Sequence, residues 1–315
     1  MMLIFVLKRI GALVPVLAVV AVVVFLLMHI TPGDAAAVML GPEASAADVD
    51  ALRQELGLND PLYIQFFGWL GGVLTGDLGT SPFLGESVAA ALLSHLGPTL
   101  SLAILAELFA ILVAVPAGII AARRRGTLID QGFMGLTILG ISVPSFLLGL
   151  FLILCFSVGL RWLPVAGYQP LSAGLVEHLR YLLLPALALG SMQAALIARM
   201  TRSSMLDVLG SNYMKTGKAK GLSDFALTYK HAFKNASLPV LTVVGQTFGS
   251  LVAGAAVVET VFNIPGIGQL IINSVDRRDL VVIQGAVLLI AVAYVLINLI
   301  IDILYGLLDP RVQVS

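Results

Sequence analysis

Few residues in this chain are arranged to do covalent chemistry. The four histidines, His29, His95, His178 and His231, are scattered, with no spacing that would bring them onto one metal ion. An intramembrane aspartyl site needs Gly-x-Gly-Asp, and in "GVLTGD" Leu74 stands where the first glycine belongs. Neither Gly-x-Ser-x-Gly nor His-Glu-x-x-His occurs. The pair Gly217–Lys218 invites a phosphate-loop reading. That motif fails because Asn212 occupies the first glycine position, Ala219 follows the lysine, and no strand precedes it. If ATP supplies energy, another chain binds it. The one cysteine, Cys155, has no partner within the chain and reads as a small buried hydrophobe.

Two other groups of residues remain. Glu107, Gln193, Gln246, Glu259, Asn298 and Asp302 interrupt long apolar runs. Polar residues at such positions face a bundle interior or an aqueous path, although helix–helix hydrogen bonds also account for them, especially for Glu259 and Asp302 near run ends. Gln246, Thr247 and Ser250 share a run with Gly245, Gly249 and Ala253, which lie on one helical face at i, i+4, i+8. That small face permits close approach of another helix, and the polar trio is the candidate for lining a translocation path.

The second group is the stretch "YMKTGKAKGLSDFALTYKHAFKNASLPVL", Tyr213 to Leu241, with five lysines and no arginine. At helical period, Ser211 caps a helix over about 212–220, and Gly221 supplies a left-handed residue just past its end. Ser223 then caps a second short helix, about 224–235, which "SLPV" breaks before the next apolar run. Contact with lipid phosphate explains the lysines. It does not explain the bend or the small residues Gly217, Ala219 and Gly221. A short helix with a small-residue face suits a groove on another protein.

The elements that must hold these groups are membrane spans. Only 11% of the 315 residues are charged and mean hydropathy is +1.01, whereas soluble domains carry about a quarter charged residues. Six runs are long enough to cross a bilayer, roughly 10–30, 99–121, 133–159, 181–200, 239–259 and 283–306, the fourth being the shortest. The first lacks a cleavage pattern after it and reads as a retained helix. Net charge is zero, but alternate connections collect thirteen and five basic residues. The larger set includes Lys8, Arg9, "RRR" at Arg123–Arg125, the five lysines and Arg311. The positive-inside rule therefore puts both termini in the cytoplasm. In the long outer segment, 31–98, Ser45 and Asp48 form a capping-box pattern. Asp60 and Pro61 are set to start a helix, whose aromatics Tyr63, Phe66, Phe67 and Trp69 suit the headgroup region or a small outer subdomain. Pro116, Pro144 and Pro185 should kink or interrupt their spans.

At this point the chain resembles a known family. "YMKTGKAKGLS" followed by "KHAFKNASLPVLT" is similar to the signature loop of type I ATP-binding-cassette importer permeases, in particular the peptide/nickel group. "LKRIGALVPVLAVVAVVVFLLMHITPGDAA", "LGLNDPLYIQF", "GISVPSFLLGL", "WLPVAGY", "LLLPALALG", "ARMTRSSMLDVLG", "VVETVFNIPGIGQL" and "LINLIIDILYGLLDPR" match that group in order. The resemblance implies an all-α polytopic fold. Residues 1–97 would form a first transmembrane helix plus a periplasmic helical segment, and 98–309 the permease domain. It implies a coupling helix that docks into an ATPase subunit, carried here by Tyr213, Lys215, Thr216, Gly217, Ala219, Lys220, Gly221 and Leu222. The implied partners are a second homologous permease, two ATPase subunits that bind ATP and Mg²⁺, and a periplasmic or lipid-anchored binding protein. The implied place is the bacterial inner membrane. The implied cargo is a di- or oligopeptide, with glutathione included; nickel or a metal chelate is the alternative. A membrane-embedded hydrolase lacks paired catalytic groups here, and a scaffold would not need the bent helix pair. The chain departs from the general signature Glu-Ala-Ala, having Lys215, Thr216 and Gly217 there. Gly217, where the group commonly has alanine, should loosen the helix by up to about 1 kcal/mol.

Overall fold

The computed structural model describes residues 2–30, 35–40, 44–55 and 57–308. The expected cytoplasmic tail with Arg311 lies outside them. Thirteen α-helices form among the described residues: α1 (Met2–Ile30), α2 (Ala35–Leu40), α3 (Ala46–Glu55), α4 (Leu62–Thr75), α5 (Val88–Arg123), α6 (Leu128–Ser142), α7 (Ser145–Leu152), α8 (Leu175–Leu209), α9 (Asn212–Ala219), α10 (Phe233–Gly254), α11 (Ala256–Val261), α12 (Ile267–Arg277) and α13 (Leu280–Leu308). Among the described residues, five helical stretches are long and apolar enough to cross a membrane. The pair α6–α7 makes a sixth span if its two arms count as one.

Proline acts differently from place to place. Before Pro144 the chain leaves helical geometry, with Val143 at φ −89°, ψ 119°, as the residue before a proline tends to. The axis turns by 100° there, and α7 runs on as π-helical turns over Ile153–Gly159. Pro116 and Pro185, by contrast, leave α5 and α8 uninterrupted. These two helices pack along most of their lengths, and burial of Ala106, Leu182, Ala188 and Ile197 between elements outweighs a lost backbone bond. The expected break at Pro239 is also absent. Helical geometry continues from Asp224 through π-helical turns at Ala226–Ala232 into α10. Ala232, Ala236 and Val240, at i, i+4, i+8, are buried on one face, so tertiary packing holds one rod on both sides of the proline. The fourth span is longer than its apolar run. Its two ends are amphipathic, so a hydropathy reading truncates them.

Glycine sets the closest helix contacts. The small face of α10 meets α13, where a Cβ on Gly249 would lie 2.8 Å from the Tyr294 ring and one on Gly245 would overlap Ile301. The α5–α8 crossing uses two glycines that the sequence reading did not single out. A Cβ on Gly118 would lie 2.7 Å from the Ala198 carbonyl oxygen, and one on Gly190 would overlap the Ala106 carbonyl. Such approaches let backbones meet without a side chain between them.

The outer segment follows its caps in part. Asp48 N–H donates to Ser45 Oγ at 3.2 Å, and Ser45 N–H to Asp48 Oδ2 at 3.3 Å, a reciprocal capping box. The next helix starts one residue later than expected, with Pro61 rather than Asp60 at the N-cap. α4 has no buried residue. It meets the end of α1 through Phe66 and Trp69 against Phe25, with ring centroids 5.3 and 5.8 Å apart. Glu259 makes the helix–helix hydrogen bonds expected of it. It is fully buried and accepts from Thr99 Oγ1 at 2.7 Å and from the Gln269 N–H at 3.0 Å. Thr99 Oγ1 in turn accepts from the Ile267 N–H at 2.8 Å. A carboxylate and a hydroxyl thus cap α12 from within the bundle.

Candidate functional site

α9 ends in a Schellman turn. Lys220 is the C-cap, Gly221 has φ +79°, the Gly221 N–H donates to the Lys218 carbonyl at 3.0 Å, and the Leu222 N–H to the Gly217 carbonyl at 3.2 Å. The start of the helix is not capped as expected. Ser211 sits at the N-cap, but its hydroxyl donates back to the Val208 carbonyl at 2.6 Å. Ser223 does cap the following helix, accepting from the Ala226 N–H at 3.3 Å.

One face of α9 is held by its own chain. Met214 and Leu227 are buried with Ile119 and Ala122 of α5, Met205 of α8, and Ala232 and Ala236. Gly217 lies under Leu227. A Cβ there would be 2.8 Å from Leu227 Cδ2 and 3.4 Å from Leu222 Cδ1. The glycine that lowers helix propensity therefore also admits the side chain that ties α9 down. Tyr213 Oη accepts from Asn235 Nδ2 at 2.9 Å, which links α9 to α10. Tyr213, Lys215, Thr216, Lys218, Ala219, Lys220, Gly221 and Leu222 are exposed. A second tie lies nearby. Asp130, at the start of α6 and buried, receives Arg202 of α8 on both oxygens, at 2.5 and 2.8 Å, and the Gly126 N–H at 3.0 Å.

The candidate path residues lie on a separate feature, an open cleft of about 540 Å³ between α8 and α10. Gln193, Leu196, Met200 and Ser203 line it from α8, spaced 3, 4 and 3 apart. Val243, Gln246 and Ser250, with Thr247, line it from α10 at the same period. Gln246 and Ser250 are exposed, and Thr247 is buried at the back. Ser250 Oγ accepts from Gln193 Nε2 at 3.3 Å. Thr247 Oγ1 lies 2.8 Å from Glu107 Oε1 of α5. Arg199 is the one charged residue in the lining. The cleft thus offers amides, hydroxyls and a cation to a polar solute, with no paired acid and base. Among the described residues, no group of three or more His, Cys, Asp or Glu could hold a metal ion.

Known proteins resemble this chain over nearly its whole length. Residues 114–314 match the family described as the binding-protein-dependent transport system inner membrane component, and residues 2–103 match that family's N-terminal membrane component. A probable peptide ABC transporter permease of Sinorhizobium fredii (strain NBRC 101917 / NGR234) is 43% identical over 98% of this chain and 99% of the relative. A glutathione transport system permease of Salmonella choleraesuis (strain SC-B67) is 44% identical over 99% of each chain. This chain belongs to that family of permeases. The solved MetNI methionine ABC transporter, described as inward facing, has the same fold, with a TM-score of 0.56 at 17% identity over 73% of this chain and all of that one.

The permease is thus a multi-pass membrane subunit of an ABC importer that works with ATPase and substrate-binding partners, and it is a transport component rather than an enzyme. Its sequence-predicted loop residues fall on α9 and the turn that ends it, and its three path candidates fall on one cleft. The sequence reading did not place Met214, Leu227, Arg199 or Ser203 in either. The α8 stripe was readable at helical period. The Met214–Leu227 contact was not, because it depends on how α9 folds back onto three other helices.

Proposed function

We propose that this permease forms half of a translocation path for di- or oligopeptides, glutathione among them, across a bacterial inner membrane. The other half is a second homologous permease. A periplasmic or lipid-anchored binding protein delivers cargo, and two ATPase subunits bind ATP and Mg²⁺. Both termini and α9 are cytoplasmic in this reading. Residues 1–97 add an anchoring span and an outer helical segment to a permease core of residues 98–309.

The observation that supports this reading best is the attachment of α9. Its exposed residues are free to meet an ATPase subunit, while Met214 and Leu227 join it to the ends of α5, α8 and α10. Two of those helices, α8 and α10, line the polar cleft. A push on α9 therefore reaches the cleft walls through packed side chains, with no flexible linker between. The relatives' names supply the cargo class. The test is the importer reconstituted in proteoliposomes with its own binding protein. Uptake of labelled di- and oligopeptides or glutathione, with ATP hydrolysis stimulated by loaded binding protein, is the expected result. Stimulation by a nickel chelate alone, with none by peptides, would overturn the cargo.

A further inference from the structure

Two cavities meet at the end of the bundle remote from α9. The ends are set by α5, whose first turns pack on α12 and α13 and whose last turns pack against α9. One cavity, about 790 Å³, lies among α1, α4 and the start of α13, and has His29, Asp60, Gln65 and Asp77 in its walls beside Trp69. The other, about 620 Å³, runs between α1 and α13 along Val24, Leu27, Ile283 and Val287, with Arg278 at its rim. Met28 and Gln284 line both. A chamber with polar groups in its walls therefore adjoins an apolar groove, at one end of two membrane spans.

The residue at the junction carries the inference. Gln284 is 7% exposed, and its Nε2 is buried with no hydrogen-bond partner. Buried donors are nearly always paired, and leaving one unpaired is costly. Arg278 is exposed at the rim, in the left-handed conformation at φ +58°. Its neighbour Asp279 is committed elsewhere, to Ser81 Oγ and the Val282 N–H. The junction thus holds an amide nitrogen that lacks an acceptor, with a cation on the rim of the same groove. The groove below offers only hydrocarbon, and Leu27 and Val275 on its walls are 52% and 55% exposed. A peptide laid in that groove would bury unpaired amides, whereas an acyl chain would bury none.

We propose that the joined cavities hold one phospholipid. Its phosphate sits between Gln284 and Arg278, and an acyl chain follows Val24, Leu27, Ile283 and Val287. Arg53 also lines the chamber but is paired with Asp50 at 3.2 Å, so Asp60 and Asp77 favour a headgroup that carries an amine, and phosphatidylethanolamine is preferred over phosphatidylglycerol. The lipid fills the space between the first and last spans and gives the Gln284 amide its acceptor.

The assembled importer, purified in mild detergent, tests this by mass spectrometry of retained lipid. One phospholipid per copy of this chain is expected, enriched in phosphatidylethanolamine relative to the membrane. Gln284→Leu should lower its occupancy at least tenfold, and Leu27→Trp, which fills the groove, should displace it. If the cavities hold no lipid, Gln284→Leu removes an orphaned donor, so the complex becomes more heat-stable with lipid retention unchanged; that result overturns the proposal. Should either variant fail to assemble, a benzophenone side chain at Val275 in the otherwise native importer decides independently. Crosslinking to phospholipid supports the site. Crosslinking to the second permease makes the groove a subunit interface and overturns it.

Discussion

Replacing Leu227 by alanine should detach α9 from the bundle without disturbing the spans. Leu227 is 6% exposed and packs with Met214, Ile119, Ala122 and Met205. Truncating a buried leucine costs about 2–5 kcal/mol, depending on how far the site collapses. The walls here belong to several long helices, which limits collapse, so about 3 kcal/mol is expected. α9 has eight residues and is too short to be helical alone. Almost all of that loss therefore falls on its docking equilibrium, a change of roughly a hundredfold. Hydrogen exchange in the assembled importer reads it directly. The Gly221 and Leu222 amides, bonded in the native turn to Lys218 and Gly217, should exchange about a hundredfold faster. Peptide-stimulated ATP hydrolysis should fall while basal hydrolysis persists. Gly217→Ala supplies an internal control. Alone, its Cβ would meet Leu227 Cδ2 at 2.8 Å and should be harmful. In the Leu227→Ala background the obstruction is gone, and the gain in helix propensity of about 1 kcal/mol remains. The same substitution should therefore harm one background and help the other. Native exchange rates in Leu227→Ala, or additive effects in the double variant, would refute the role assigned to this contact.

Four further expectations follow from the same geometry. Gly221→Val should insert and accumulate normally yet copurify poorly with the ATPase subunits. The strain at φ +79° acts on the turn, and among the described residues no atom beyond the two chain neighbours lies within 4 Å of the added Cβ, so a further clash comes from the partner; normal copurification with full stimulation would exclude α9 as the coupling element. Gln246→Leu with Ser250→Leu should slow peptide uptake in an assembled complex, and unchanged kinetics would return both to a packing role. Asp130→Asn should cost about 1–3 kcal/mol by weakening the charge-assisted hydrogen bonds from Arg202, read as a lower unfolding temperature, and an unaltered temperature would show the pair to be dispensable. In a Cys155→Ser background, cysteines at Ala47 and Ser172 should react with an impermeant thiol reagent from outside, and those at Gly126 and Asn235 should not; outside labelling at Asn235 would reverse the orientation.

How much of this was legible depended on whether a signal was local. Apolar runs marked the spans because lipid demands apolar surface over a fixed length. The capping box at Ser45 and the turn at Gly221 were readable because each is settled within a few residues. The ends of α8 were hidden because Glu177, Arg180, Arg199 and Arg202 lower hydropathy without ending a helix. Pro239 misled because proline reports a missing donor, not the packing that can outweigh it. Glu259 and Thr99 are 160 residues apart, and no pattern in either neighbourhood announces that they share a helix terminus. For the cleft, polarity on the span carrying Gln246 pointed to the face that lines it. The opposing wall, with Arg199 and Ser203, needed the register between α8 and α10.

The two-sidedness of α9 separates kinds of sequence change that usually travel together. Met214 and Gly217 are fitted to the permease's own helices, while Lys215, Thr216, Lys218 and Lys220 look outward. Where α9 is the ATPase contact proposed above, recognition of a particular ATPase can drift, or be rewritten, on the outward set alone, with the inward pair left as a fixed mount. An importer could exchange motors by grafting a handful of surface residues. A swap of the whole loop would carry a foreign mount into helices that were never shaped for it.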